Sequence, residues 1–289
     1  MLIFCFAGGW FCPQLAHLRP LMPWCLVYML TVVFLRTAFT RGTANRRHAY
    51  VLAANLVMPF ALWGLLRLCG VPERFGQAVF FTAVTPTATA APVIVSLLGG
   101  NIAFAATGFL LSALVISAVL PFAVPLILHE SPWAVVPMIL ARICFVTLLP
   151  LAAALLLRRK FGDRARAWGR KLTGSTLYAW MFLVSVIASS AAETLRSVQY
   201  PGTDIFWVLA ADIGVAVLSF GLGALLGLGG YVRECSQLLG QKNTSYTTYL
   251  AFACDAPFAA LGPAFYVFFH NAWNGIQLIF HKDPPSTAP

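Results

Sequence analysis

The residues best suited to chemistry form one short polar run, Gly240-Gln-Lys-Asn-Thr-Ser245, between leucine-rich neighbours. Lys242 offers an ammonium group, which can hold an anion. Its neighbours offer amide and hydroxyl groups that can orient such an anion or coordinate a cation, and they are Gln241, Asn243, Thr244 and Ser245. At the centre of a bilayer, a lysine costs about 3 kcal/mol and usually faces a cavity with a partner group. A lysine that snorkels to the membrane interface is the alternative.

A second polar interruption lies in the first half of the chain, between Phe80 and Gly99. Its two prolines, Pro86 and Pro92, each remove a backbone donor and free a carbonyl group one turn earlier. The hydroxyl groups around them belong to Thr82, Thr85, Thr87 and Thr89. These carbonyl and hydroxyl groups predict contact with a substrate, whereas a proline kink satisfied by neighbouring helices is the alternative.

Because a lysine inside a membrane usually has a partner, we expect an acidic group near Lys242. The candidates are Asp212, Asp255 and Glu193, and the position of Asp212 inside an apolar run favours it for depth. Asp212 can instead pair with Arg142, and the carboxylate of a substrate can itself be the partner of the lysine. Further along the chain, His270 and Asn271 can line the same site, or they can form hydrogen bonds between helices.

The composition of the chain is that of an integral membrane protein. Its 289 residues have a mean hydropathy of +0.82, with 60% hydrophobic and only 10% charged residues. Apolar runs of about 20 residues, the length that crosses a bilayer, recur along the chain. The seven cysteines form no metal-ligand spacing, and no nucleophile–base arrangement is visible. We therefore expect no cofactor, no bound metal and no enzymatic activity.

The net charge of +10 does not indicate a nucleic-acid partner, because most of the basic residues cluster in alternate loops. The main clusters are Arg36 to Arg47, Arg158 to Lys160 and Arg164 to Lys171. Such clustering predicts that these loops are cytoplasmic. With an even number of spans, both termini then lie on the inner side of the cytoplasmic membrane. The sequence does not indicate an oligomeric state.

Ten transmembrane spans account for the length of the chain with short connections. We predict them at 1–16, 21–40, 47–69, 75–99, 101–128, 133–157, 173–195, 203–231, 234–254 and 257–280. The apolar first span is interpreted as a short helix rather than a cleaved signal peptide. The fourth and ninth spans are the two that contain the polar interruptions.

A weak internal repeat relates the two halves of the chain. Phe104-Ala-Ala-Thr-Gly108 recurs as Phe258-Ala-Ala-Leu-Gly262, and at the same offset Pro86 aligns with Gly240. The two interruptions therefore coincide. Paired interruptions in corresponding segments indicate the binding site of a transporter, and five spans per half predict repeats of opposite membrane orientation.

Together these segments resemble the bile acid:sodium symporter family. The resemblance begins at Gly8-Gly-Trp-Phe-Cys-Pro13, runs through Thr85-Pro86 and Gly240-Gln-Lys-Asn-Thr244, and reaches His270-Asn271. It implies a core of spans 3–5 and 8–10, with broken spans 4 and 9 crossing, and a panel of spans 1, 2, 6 and 7. Residues 1–160 would hold the first repeat and the start of the second, and residues 161–289 the rest. Members of the family move organic anions driven by sodium, so the implied partners are a small organic anion and the lipid bilayer.

The chain departs from the sodium-coupled members at the residues that matter for the cation. The resemblance implies Glu and Gln where this sequence has Leu238 and Lys242, and a Ser-Asn pair where it has Ala91-Pro92. We therefore hypothesise that the ammonium of Lys242 takes the place of the cation or anchors the anion, and that transport does not require sodium. Proton coupling, facilitated diffusion, a sodium symporter with atypical ligands, a channel, and a non-transporting receptor or scaffold remain as alternatives.

Overall fold

The computed structural model describes residues 1–36, 44–130, 132–198 and 200–280. Within these ranges the regular structure is helical, apart from one isolated β-bridge. The α-helices are α1 (Leu2–Phe11), α2 (Met22–Arg36), α3 (Arg46–Leu68), α4 (Glu73–Ala83), α5 (Ala91–Leu97), α6 (Ile102–Leu128), α7 (Pro132–Ile143), α8 (Leu149–Phe161), α9 (Asp163–Lys171), α10 (Thr173–Val198), α11 (Gly202–Leu226), α12 (Val232–Gly240), α13 (Thr244–Ala253) and α14 (Pro257–Phe280). A 3-10 helix, Pro13–Leu21, joins α1 to α2, and a π-helical turn, Cys144–Leu148, joins α7 to α8.

Six helical stretches of the described chain are long and apolar enough to cross a membrane. They are Pro13–Arg36, Arg46–Leu68, Ile102–Leu128, Val136–Phe161, Thr173–Ser197 and Gly202–Leu226. Each spans at least 23 residues, which exceeds the roughly 20 needed to cross the hydrocarbon core. The expectation of an all-α, multi-pass membrane protein is confirmed.

Several boundaries of the predicted spans differ from the ends of the helices. The first span, predicted at 1–16, ends as an α-helix at Phe11, because Pro13 has no N–H group with which to continue the ladder. The connection after the sixth span, predicted as a loop, contains α9, whose charged residues cover its exposed side. The end predicted for the second span, at 40, lies outside the described residues.

Contacts between helix ends sort those ends into two groups. At what we call the basic end, the start of α3 meets the end of α11 through Arg47 Nη1, which donates to the Gly227 carbonyl at 2.6 Å. The end of α8 meets the end of α2 there, through Arg158 and the Phe34 carbonyl. At the opposite end, the start of α4 meets the start of α11 through an ion pair of Arg74 and Asp204.

The two polar interruptions are breaks in the helices, and they meet. Between α4 and α5, and between α12 and α13, the backbone leaves the helical path, so its N–H and C=O groups need other partners. The Ala88 N–H donates to the Gln241 carbonyl at 2.8 Å, and the Asn243 N–H donates to the Pro86 carbonyl at 2.8 Å. Thr87 and Lys242 form the antiparallel β-bridge. The sequence interruptions are therefore confirmed as breaks, and each supplies the backbone partners of the other.

Candidate functional site

A cavity of about 430 Å³ lies beside the joined breaks, between them and α2, α10 and α14. Most of the residues predicted for the site line it: Thr89, Gln241, Lys242, Asn243, Thr244, Ser245, His270 and Asn271. Apolar side chains of α2 and α10, among them Met29, Leu177 and Trp180, form the facing wall. The cavity therefore combines an apolar wall with a polar one, the usual construction of a small-molecule site.

Five residues predicted to contact a substrate do not line this cavity, namely Thr82, Thr85, Pro86, Thr87 and Pro92. Thr85 donates to the Phe81 carbonyl at 2.7 Å and its hydroxyl contacts that of Thr247, so it ties the first break to α13. The hydroxyl of Thr87 donates to the Leu238 carbonyl at 2.6 Å, which ties the same break to α12.

Pro86 contributes its carbonyl to the junction of the breaks rather than to the cavity wall. Pro92 lines a neighbouring cavity of about 580 Å³, whose other walls include Arg36 and Arg170. Thr85, Pro86 and Thr87 therefore hold the breaks in place, whereas Pro92 faces the neighbouring cavity.

Lys242 is placed at the centre of the junction, and its ammonium is bonded to the protein. Its side chain is almost wholly buried, with 1% of the residue exposed. Nζ donates to Asn55 Oδ1 at 2.5 Å and to the Ala83 carbonyl at 2.7 Å. Neither acceptor lines the cavity. Ala83 is the last residue of α4, where the helix dipole leaves a partial negative charge that favours a cation.

The expected counter-charge is not found, and this corrects the sequence analysis. None of the ion pairs among the described residues includes Lys242, Asp212 or Arg142. Asp212 instead accepts a hydrogen bond from Thr82 at 3.1 Å. Asp255 lines a separate cavity of about 220 Å³. The amide of α3 and the free carbonyl at the end of α4 take the place of a carboxylate.

Glu193, the third candidate, lines the same small cavity as Asp255 and forms an ion pair with Arg19. That pair joins α10 to the 3-10 helix, and neither residue is an acceptor of the Lys242 ammonium. It is a structural pair near the opposite end of the molecule.

Arg36 is the functional candidate that the sequence analysis missed. It is the last residue of α2, it is half-buried, and it lines the cavity. Its Nη1 lies 3.5 Å from Thr173 Oγ1, at the start of α10. The charge rule assigned this arginine to a cytoplasmic loop cluster. Only the packing of α2 against α10 shows that it also faces the cavity.

The residues at the junction do not fit a sodium ion at the position of the Lys242 ammonium. Sodium needs several oxygen ligands, and two suitable oxygens, Asn55 Oδ1 and the Ala83 carbonyl, are already bonded to Nζ. A second cation in contact with these oxygens would be repelled by the ammonium. Within the described residues, no group of three or more His, Cys, Asp or Glu side chains is arranged to hold a metal ion.

Comparison with models of known protein families identifies the family of the chain. A model described as the sodium bile acid symporter family matches residues 26–198, more than half of the chain. The match includes the first break and ends before the run that contains Lys242. No curated protein matches the chain. With its multi-pass helical fold and this match, the chain is a membrane transporter, and it belongs to the sodium bile acid symporter family.

Proposed function

We propose that this protein is a secondary transporter that moves a small organic anion across the cytoplasmic membrane by alternating access, without requiring sodium. One observation carries the proposal. Of the described residues that line the 430 Å³ cavity, the charged ones are Arg36 and Lys242, and none is acidic. A partly apolar space with this charge favours an anion that also has apolar surface.

The proposed architecture has ten transmembrane spans in two inverted five-helix repeats, with both termini cytoplasmic. In the first half, α3 to α6 form the core spans; in the second, α11 to α14 do. The panel consists of α1, α2, α7 with α8, and α10. Residues 1–160 hold the first repeat and the start of the second, and residues 161–289 hold the rest of the second. The position of the cavity between α2 and α10 on one side and the breaks on the other supports this division. The arginines at the basic end support a cytoplasmic location for that end of the molecule.

Within the site, Arg36 and Lys242 have different roles. The half-buried guanidinium of Arg36 binds the anionic group of the substrate, because it lines the cavity and its hydrogen bond to Thr173 uses only one of its N–H donors among the described residues. The buried ammonium of Lys242 replaces a coupling cation and holds the junction together through Asn55 and Ala83. The ammonium also adds to the positive potential of the cavity.

The remaining polar residues orient the substrate by hydrogen bonds. Side chains of the second break, Asn243, Thr244 and Ser245, line the cavity on one side. His270 lines it on another, and its Nδ1 is buried without a hydrogen-bond partner among the described residues. An unpartnered buried nitrogen is costly unless a ligand or water satisfies it, which makes His270 a substrate contact in this proposal.

The experiment that tests the function is uptake into proteoliposomes of the purified full-length chain. Radiolabelled taurocholate, hippurate and benzenesulfonate serve as probes, in sodium medium and in choline medium. We expect saturable uptake and counterflow of at least one anion at equal rates in both media. Strictly sodium-dependent uptake would refute sodium independence, and binding in detergent without any uptake would identify a receptor instead.

The role of Arg36 is tested in the same assay with Arg36→Gln. A hydrogen bond to a charged group contributes about 1.5–3 kcal/mol, so the KM for the anion should rise about 10- to 100-fold. Arg67→Gln is the matched control, because Arg67 lies near the other end of α3, over the Trp63 ring and away from the cavity. Equal effects of the two substitutions would remove Arg36 from the site.

A further inference from the structure

Another cavity, of about 650 Å³, enters the molecule from the end opposite the 430 Å³ cavity that contains Arg36, which we call the arginine-lined cavity. We call the 650 Å³ cavity the second cavity. It lies between α3, α4 and α11, and Arg74 and Asp204, an ion pair at 2.8 Å, stand where α4 and α11 begin. Asp212 lines the same cavity eight residues further along α11, about 12 Å deeper at 1.5 Å per residue. The two acidic side chains of α11 therefore mark a path from the surface to the interior.

The surroundings of Asp212 do not suit an ionised carboxylate. One per cent of the residue is exposed, and its Oδ1 accepts one hydrogen bond, from the neutral hydroxyl of Thr82 at 3.1 Å. Its Oδ2 has no hydrogen-bond partner among the described residues, and none of their ion pairs includes it. A buried charge that lacks an ion partner and has one neutral donor is strongly destabilised, whereas the neutral acid is not.

The helices packed against α11 bring other titratable groups near it, and α14 and α4 carry three of them. On α14, Tyr266 packs against α11 and its hydroxyl donates to the Gly240 carbonyl at 2.8 Å. His270, one turn further, contacts the Tyr266 ring and lines the first cavity. On α4, Arg74 is paired with Asp204 at the mouth.

The other two neighbours, α3 and α12, carry their charged groups away from Asp212. On α12, Arg233 donates to the Leu98 carbonyl and Glu234 accepts from the Asn101 N–H, both at the basic end. On α3, Arg67 lies over Trp63 and the basic residues of the first turn face the basic end. The ammonium of Lys242 reaches α3 and α4 through Asn55 and Ala83 rather than through Asp212.

Asp212 is nevertheless connected to the junction of the breaks through one short segment. Thr82, its hydrogen-bond donor, immediately precedes Ala83, the carbonyl acceptor of Lys242. Gain or loss of charge at Asp212 therefore acts on the last turn of α4, the turn that holds the ammonium. This geometry links the second cavity to the break that forms part of the first.

We propose that Asp212 binds a coupling proton, which enters from the opposite end through the second cavity and moves together with the organic anion. The inference rests on the proposed transport function and names its driving ion. The proton leaves water at the mouth and forms an O–H bond with the carboxylate of Asp212; it returns to water when a change of conformation opens that site to the other side. One proton carried with one monovalent anion moves no net charge.

The first test needs no substrate and uses infrared spectroscopy of the purified protein in lipid nanodiscs. In the wild type we expect a carbonyl-stretch band of a protonated carboxylic acid that shifts when H₂O is exchanged for D₂O. The band should be missing in Asp212→Asn and retained in Asp204→Asn. In Thr82→Val it should move to higher frequency, because a hydrogen bond to the carbonyl oxygen has been removed. A band that persists unchanged in Asp212→Asn, or that is missing in the wild type, would overturn the proposal.

The second test uses proteoliposomes and whichever of taurocholate, hippurate and benzenesulfonate the wild type accumulates. An inwardly directed proton gradient should increase net uptake severalfold in the wild type and leave Asp212→Asn unaffected, while anion counterflow persists in both. Counterflow with no response of the wild type to the gradient would refute the coupling and leave the transport function standing. If the wild type shows neither counterflow nor uptake driven by the gradient, transport itself is refuted. The infrared experiment then tests the proton-binding site independently of transport.

Discussion

Replacement of Lys242 by glutamine tests whether its ammonium excludes sodium. Nζ lies 2.5 Å from Asn55 Oδ1 and 2.7 Å from the Ala83 carbonyl, so a sodium ion that used these oxygens would lie about 4 Å or less from it. Two unit charges 4 Å apart repel by about 4 kcal/mol at an effective dielectric constant of 20. At about 1.4 kcal/mol per tenfold change, sodium should bind the wild type about a thousandfold more weakly than Lys242→Gln.

The assay is the apparent melting temperature of the detergent-solubilised protein in sodium chloride and in choline chloride of equal ionic strength. If sodium is present at ten times the dissociation constant of Lys242→Gln, binding stabilises that variant by about 1.4 kcal/mol, while the wild type gains almost nothing. Lys242→Arg keeps the charge and should behave as the wild type. Lys242→Met removes the charge without adding an oxygen ligand, so it should respond less than the glutamine variant. A sodium-specific rise in the melting temperature of the wild type would refute the reasoning.

Two further substitutions test how the breaks are held. A Cβ atom added at Gly240 would overlap the Phe220 ring, so Gly240→Ala should destabilise the protein by about 1–3 kcal/mol. A Cβ atom at Gly214 meets no neighbour, so Gly214→Ala is the control and should not destabilise the protein. Equal melting temperatures of the two variants would contradict the packing. Tyr246→Phe removes a buried hydroxyl that is hydrogen-bonded to α6 and to the π-helical turn, so the melting temperature should fall by the equivalent of about 1 kcal/mol, and exposed Tyr178→Phe is the control.

The breaks were predictable from the sequence because their chemistry is local. Pro86 cannot donate a backbone hydrogen bond, and the polar run around Lys242 interrupts an apolar segment, so both positions are visible without any knowledge of packing. That the two broken segments cross was implied by the family resemblance, and two backbone hydrogen bonds, from Ala88 to Gln241 and from Asn243 to Pro86, show that the breaks are neighbours.

The direction of individual side chains was not predictable in the same way. Lys242 has a long, flexible side chain, and whether its ammonium faces the cavity or the end of α4 depends on where Asn55 of α3 lies. Arg36 was counted among the basic residues that mark a cytoplasmic loop. The sequence does not show that α2 packs beside α10, which is what brings Arg36 to the cavity. None of the candidate carboxylates of the chain pairs with Lys242 in the described structure, because an amide and a helix C-terminus can stabilise a cation without a carboxylate.

The distribution of hydrogen bonds indicates which part moves if the protein alternates between two conformations. The breaks are bonded to each other and to the helices around them: Lys242 reaches α3 and α4, and the Thr87 N–H donates to Ser112 of α6 at 2.9 Å. Across the cavity, Arg36 and Thr173 bond α2 to α10, and both belong to the facing wall. Apolar contacts can slide, whereas buried hydrogen bonds must be broken or exchanged at a cost of about 1–3 kcal/mol each. Movement of α2 and α10 relative to the joined breaks therefore costs least, and it is the movement that would open the arginine-lined cavity to the opposite side.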